Sequence, residues 1–178
     1  AYENIGVTGV QTCALPILMP VDDSEQLLIV GTLADSVEDR FMALFERMGL
    51  PRVRSLPPRR SSELPPVGRG TRLLLAQPFL SGTARALVHR GAQLLEAPYP
   101  FGVEGSRDWM LAAANAFGIA PERSAEVLDP LVERGRRALA PHRERLAGRR
   151  LFLMPDSQME IPLARFLSRE CGMELVEV

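Results

Sequence analysis

Lysine is absent from this chain, and all 21 of its basic residues are arginine. That absence excludes a Schiff-base lysine and a P-loop lysine from the sequence given. Cysteine is nearly as scarce, with only Cys13 and Cys171, far apart in the chain. They support neither a disulfide framework nor a complete zinc site, and a protein-ligated iron–sulfur cluster needs about four cysteines. Neither cysteine is proposed as a metal ligand. His89 and His142 have no carboxylate or cysteine at ligand spacing, so both are expected at the surface. No nucleophile–base constellation emerges, and no catalytic residue is assigned. Long apolar runs are also missing, so no membrane span is expected. The net charge of −1 gives no global attraction to nucleic acid or to an anionic membrane. Few thiols and no export signal point to the cytoplasm, where thiols stay reduced.

The N-terminus is of a different character. The stretch "VTGVQTCALPI" (Val7–Ile17) carries no positive charge, and Gly9 and Pro16 break it as a helix. It resembles the in-frame translation of a common short-read sequencing adapter, and the opening "AYE" is compatible with the same source. Residues 1–17 are therefore read as a non-native artefact and residues 18–25 as a linker; Cys13 then says nothing about function.

From Gln26 the text is regular. "LLIVG" is a short apolar run of the kind buried on both faces of a parallel sheet. It leads into a helix capped by Asp35 or Ser36, with Phe41, Leu44, Phe45 and Met48 on one face and Gly49 at its end. Further strands are expected at Arg52–Leu56, Thr71–Gln77 and "AQLLEAP", with helices at "LSGTARALVHRG" and "SRDWMLAAANAFG". The strand–helix alternation predicts an α/β fold, a doubly wound parallel-sheet Rossmann-like domain over 26–120. Residues 121–148, interrupted by Pro130 and Pro141, read as a connection of two or three helical segments. Residues 149–178 read as the first βαβ of a further Rossmann-like domain, cut short. Its last strand, "MELVEV", leaves an apolar edge prone to association.

Four places carry candidate chemistry. Gly31 follows the first strand, but "GTLADS" lacks a dinucleotide-binding glycine series, so tight packing is the better reading. Arg59 and Arg60 in "PPRRSSELPP" would suit a phosphate or an acidic partner, though a solvated loop or subunit contact fits them better. "QPFL" and "YPFGVEG" lie at carboxyl ends of strands, where open α/β sheets bind ligands. There Tyr99 and Phe101 would flank a flat apolar ligand with Glu104 nearby, or else pack locally. Asp156, Ser157, Gln158 and Glu160 form a polar set after a later strand, explained by a capping box, by a pocket lining, or by both.

Taken in order, "LLIVGTLADSVEDRFMALFERMGL", "LPPRRSSELP", "TRLLLAQPFL", "APYPFGVEGSRDW" and "ALAPHRERLAGRRLFLMPDSQMEIPLARFLSRECGMELVEV" resemble the N-subunit family of light-independent protochlorophyllide reductases. These are nitrogenase-like proteins of three Rossmann-like domains. The resemblance covers Gln26 to Val178 and makes this chain the second domain and the start of the third. It implies a heterotetramer of N and B subunits and a separate iron–sulfur ATPase homodimer that carries ATP and Mg. The implied reaction is ferredoxin- and ATP-dependent reduction of the D-ring double bond of protochlorophyllide to chlorophyllide a, in chlorophyll or bacteriochlorophyll synthesis. A 4Fe-4S cluster is implied in the full complex, with its cysteines upstream of this segment. The likeness places the loop after the third domain's first strand, here Asp156–Glu160, at the substrate cavity. The isolated segment is expected to be inactive, in a bacterial cytoplasm or a plastid stroma. The alternatives are another nitrogenase-like subunit, from chlorophyllide reductase or a cofactor-assembly scaffold, and a non-catalytic two-domain α/β ligand-binding protein.

Overall fold

Strand β1 (Gln26–Val30) is buried along its whole length between two parallel neighbours, β2 (Val53–Leu56) and β3 (Thr71–Leu75). A short fourth strand, β4 (Gln93–Leu94), pairs in parallel with β3 and completes a sheet of order β2-β1-β3-β4. This computed structural model describes residues 19–154 and 156–177. The artefact reading of residues 1–17, Cys13 included, falls outside the described residues.

Successive β1 side chains point to opposite faces, as the pleat requires. Leu27 and Ile29 join Leu74 and Ala76 in one core, and Leu28 and Val30 join Leu56 and Leu73 in a second. Helices α1 (Asp35–Met48), α3 (Gly102–Ala116) and α4 (Pro121–Leu146) cover the first face. Helix α2 (Ser81–Val88) covers the other through Leu87, with Met19 and Val67 beside it. Helices on both faces explain why β1 is a continuous apolar run rather than an alternating one. The sequence-predicted α/β, doubly wound parallel sheet is the observed architecture.

Trp109, the only tryptophan, is the largest fully buried side chain. Its indole N–H donates to the Leu75 carbonyl at 2.7 Å, and its ring lies 4.9 Å from Phe41 and 5.7 Å from Phe45. One side chain from α3 thereby joins α1 to the carboxyl end of β3. Beyond α4, strand β5 (Arg150–Phe152) pairs in parallel with β6 (Glu174–Glu177). Their connection is α5 (Glu160–Arg165), which widens into a π-helical turn at Phe166–Glu170. Phe152, Leu175 and Val176 of this small sheet stay exposed. Among the described residues no helix is long and apolar enough to cross a membrane.

Four local expectations are corrected. Neither Asp35 nor Ser36 caps α1; Ala34 is the N-cap, and Asp35 and Glu38 instead lie in the first turn, where carboxylates suit the helix dipole. Residues 121–146 form one helix rather than two or three. Pro121 starts it where no N–H is needed, while Pro130 and Pro141 each remove one bond without ending it. Burial of Ser124, Val127, Leu128 and Val132 holds the helix across the first of these prolines. Helix α3 starts at Gly102, four residues before the "SRDWMLAAANAFG" expected, so "GVEG" is its first turn. The strand expected over "AQLLEAP" shrinks to two residues, because β4 is the sheet edge and its Leu94 is exposed.

Replacing Trp109 by Phe should cost about 2 kcal/mol, because the Leu75 carbonyl loses its donor and a void opens beside Phe41. Trp109→Ala should cost about 3–5 kcal/mol. Urea unfolding followed by circular dichroism measures both.

Candidate functional site

In an open α/β sheet the ligand crevice lies outside the carboxyl ends of the strands where the strand order reverses, here beyond β1 and β3. In this chain that place is filled from within. The Gln77 amide turns back onto Thr32, donating to its carbonyl at 2.8 Å and accepting from its N–H at 3.0 Å. Gly31 (φ +152°) permits this, since a Cβ there would sit 2.8 Å from the Ala76 Cβ and 2.9 Å from Gln77 Oε1. The packing reading of Gly31 therefore stands, and the role of Gln77 in "QPFL" was not readable from spacing.

The arginine pair divides. Arg59 bonds Glu38 at 3.1 Å and Asp39 at 2.5 Å, and donates to the Asp35 carbonyl at 3.1 Å. Those bonds, Asp39 foremost, hold it firmly cationic. Arg59 pins its loop to α1 rather than presenting itself to a ligand. Arg60 faces solvent, 3.7 Å from Glu63.

The aromatic motif "YPFGVEG" meets the C-terminal unit. Gly102 (φ +74°) opens α3, and a Cβ on it would overlap the Phe166 ring and the Glu170 carboxylate. A Cβ on Gly105 would sit 2.8 Å from the Tyr99 carbonyl and 2.9 Å from an Arg165 nitrogen. Into that space come Phe166, edge-on to Phe101 at 5.6 Å, and Glu170, which accepts the Val103 N–H at 2.7 Å. Arg165 bonds both Glu104 and Asp108 at 3.1 Å, and Arg169 approaches Glu104 to 2.6 Å. The Phe101 ring is thus packed on Phe166. Tyr99 instead borders an apolar groove of about 690 Å³ formed with Leu75, Pro78, Ala84, Val88 and Leu94.

The Asp156–Glu160 loop follows β5. Glu160 Oε1 accepts the N–H of Asp156 at 3.2 Å, the N–H of Ser157 at 3.0 Å and the Ser157 hydroxyl at 3.1 Å. These contacts, its own backbone N–H first and that of Ser157 next, hold its carboxyl below the usual glutamate range. The reach-back half of the expected capping box is therefore present, although Met159 is the N-cap residue. Asp156, Ser157 and Gln158 are exposed, and Gln158 adopts φ +67°, which a non-glycine residue holds only under surrounding constraint. Glu160 and Phe166 share α5 and its continuation, six residues or roughly 9 Å apart along the axis. One rigid element therefore carries the loop's support and the contact to Phe101.

His89 and His142 are exposed. Cys171 is buried, and burial pushes its thiol up, with Glu170 adding to the effect. Among the described residues no group of three or more His, Cys, Asp or Glu side chains is arranged to hold a metal ion. They do not fit an iron–sulfur cluster.

Two consequences follow from this geometry. Gly102→Ala should cost about 1–3 kcal/mol, from the left-handed backbone and the overlap with Phe166. Hydrogen exchange should show residues 150–177 loosening before the first sheet does. Glu160 has a lowered folded-state pKa, so its contribution is present above its unfolded pKa and is lost as pH falls through the folded value. The protection of the Asp156 and Ser157 amides, taken relative to intrinsic exchange at each pH, should fall below the usual glutamate range, and Glu160→Gln should abolish that change in protection.

Comparison with known proteins agrees with this architecture. The model of the family Nitrogenase component 1 type Oxidoreductase matches residues 20–178. The chain is 66% identical over 165 residues to the light-independent protochlorophyllide reductase subunit N of Synechococcus sp. (strain RCC307), covering 93% of this chain and 40% of the relative. It is 66% identical to the same-named subunit of Parasynechococcus marenigrum (strain WH8102), over 93% of this chain and 39% of the relative. With that of Prochlorococcus marinus (strain MIT 9313) it is 61% identical over 173 residues, 97% of this chain and 41% of the relative. All three matches run into residues 1–17, whereas the family model begins at residue 20. The chain spans about 40% of the length of the curated relatives it matches. With a doubly wound parallel sheet, a second βαβ latched to it and a family match over residues 20–178, this chain belongs to the nitrogenase component 1 type oxidoreductases.

Proposed function

We propose that this chain is a segment of the N subunit of a light-independent protochlorophyllide reductase. The observation that carries the reading is 66% identity over 93% of the chain to a protein of that name. The whole enzyme would reduce the D-ring double bond of protochlorophyllide, giving chlorophyllide a in light-independent chlorophyll or bacteriochlorophyll synthesis. Two electrons and two protons add across that bond, with the electrons supplied by ferredoxin at the expense of ATP. The N subunit would pair with a B subunit in a heterotetramer and receive electrons from an iron–sulfur ATPase homodimer. ATP and Mg belong to that homodimer. The 4Fe-4S cluster of the complex would be held outside this segment, and the enzyme would work in the cytoplasm.

Within that assembly this segment would shape part of the substrate cavity. The exposed side chains of Asp156, Ser157 and Gln158 would face the macrocycle, with Glu160 fixing the loop behind them. The apolar groove beside Tyr99 suits contact with a flat hydrocarbon surface. The packing of Phe101 on Phe166 gives it a supporting role, keeping α5 and hence the loop in place.

A chimera tests this reading. Residues 20–178 replace the matching segment of a cyanobacterial N subunit, and the protein is purified with its partners and assayed in darkness. Reduction of protochlorophyllide at a rate comparable to the parent is expected. In that chimera Asp156→Ala should lower kcat/KM about tenfold, from loss of a charge-assisted contact, without changing assembly. A chimera that assembles with its partners but reduces no protochlorophyllide overturns the reading.

A further inference from the structure

Between α3, α4 and the π-helical turn lies a crevice of about 420 Å³ that none of the motifs above accounts for. Val103, Val132, Leu139 and Ala140 line its apolar part. The two carboxylates on its wall are engaged within the chain: Glu104 by Arg165 and Arg169, Glu170 by the Val103 N–H. Arg107, also on the wall, is paired with Asp108 at 3.2 Å.

Two cations remain. Among the described residues no ion pair engages Arg136 or Arg143, both of which line the crevice from α4. They are seven residues apart on one helix, so they share a face about 10 Å apart, with Leu139 and Ala140 between them. Arginine stays charged at any working pH and binds carboxylates through paired N–H donors. The pattern of cation, apolar floor and second cation repeats the features of one kind of molecule.

We infer that this crevice is a binding site for an elongated organic dianion, with an apolar body lying on Leu139 and Ala140 and a carboxylate at each end on Arg136 and Arg143. The inference is independent of the reductase reading, since it uses neither the Asp156–Glu160 loop nor the Tyr99 groove.

Isothermal titration of the full chain with decanedioate tests it, beside decanoate, butanedioate and the neutral 1,10-decanediol. Decanedioate is expected to bind, more weakly as salt is raised. Decanoate should bind about tenfold more weakly for lack of one charge-assisted contact, and butanedioate, too short to reach both arginines, weaker still. Arg136→Gln and Arg143→Gln should each cost about tenfold in affinity with an unchanged melting temperature, since neither side chain is ion-paired. Arg136→Lys should keep much of the binding, which reads the charge even if a glutamine variant folds poorly. Arg134→Gln and Arg137→Gln, on the same helix but outside the crevice, should leave affinity unchanged. Equal binding of decanedioate and decanediol overturns the inference. So does equal weakening by the variants outside the crevice, or full binding by Arg136→Gln and Arg143→Gln proteins that remain folded.

Discussion

The close approach of α3 and α5 is the constraint on which the arrangement of both sheets depends. Two glycines one helical turn apart, Gly102 and Gly105, remove the side chains that would hold the helices apart. Phe166 then meets Phe101, and Arg165 reaches two carboxylates on α3 at once. Each ion pair is half-buried, so it is screened less than a surface pair and its geometry is shared between two acceptors. Removing the glycines would deny the arginine its position; removing the arginine would leave Glu104 and Asp108 side by side without their common cation. Packing and charge here act as one device.

Two of this chain's arginines, Arg59 and Arg165, serve as cross-links between elements. Arg59 ties the loop after β2 to three backbone or side-chain oxygens of α1, and Arg165 ties the second sheet to the first. The planar guanidinium makes such multiple contacts possible where an ammonium group would serve as a single point charge. Arg136 and Arg143 differ from these in lining a crevice with no ion pair among the described residues.

Several elements were legible because local chemistry and tertiary packing agree. The run Leu27–Val30 predicts a strand buried on both faces, and helices do cover both faces. Phe41, Leu44, Phe45 and Met48 share a helical stripe, and the last three are buried. Where local rules and packing compete, the sequence misleads. Pro130 and Pro141 mark breaks by local rule, yet α4 runs on, because its buried stripe outweighs the missing bonds. Asp35 suits a cap, but the chain enters α1 one residue earlier and places it in the first turn.

The candidate site divides along the same line. Sequence alone determined the strand–helix order and the placing of polar residues after β5, since each follows from residue type and near neighbours. Only the tertiary structure decided that Gln77 closes the crevice beside β1, that Glu160 serves as an acceptor for its own loop, and that Phe101 packs on Phe166. The contacts from Gln77 to Thr32 and from Glu170 to Val103 join residues 45 and 67 positions apart. Such pairs are set by where the chain returns in space, and no local pattern of charge or hydrophobicity encodes that return.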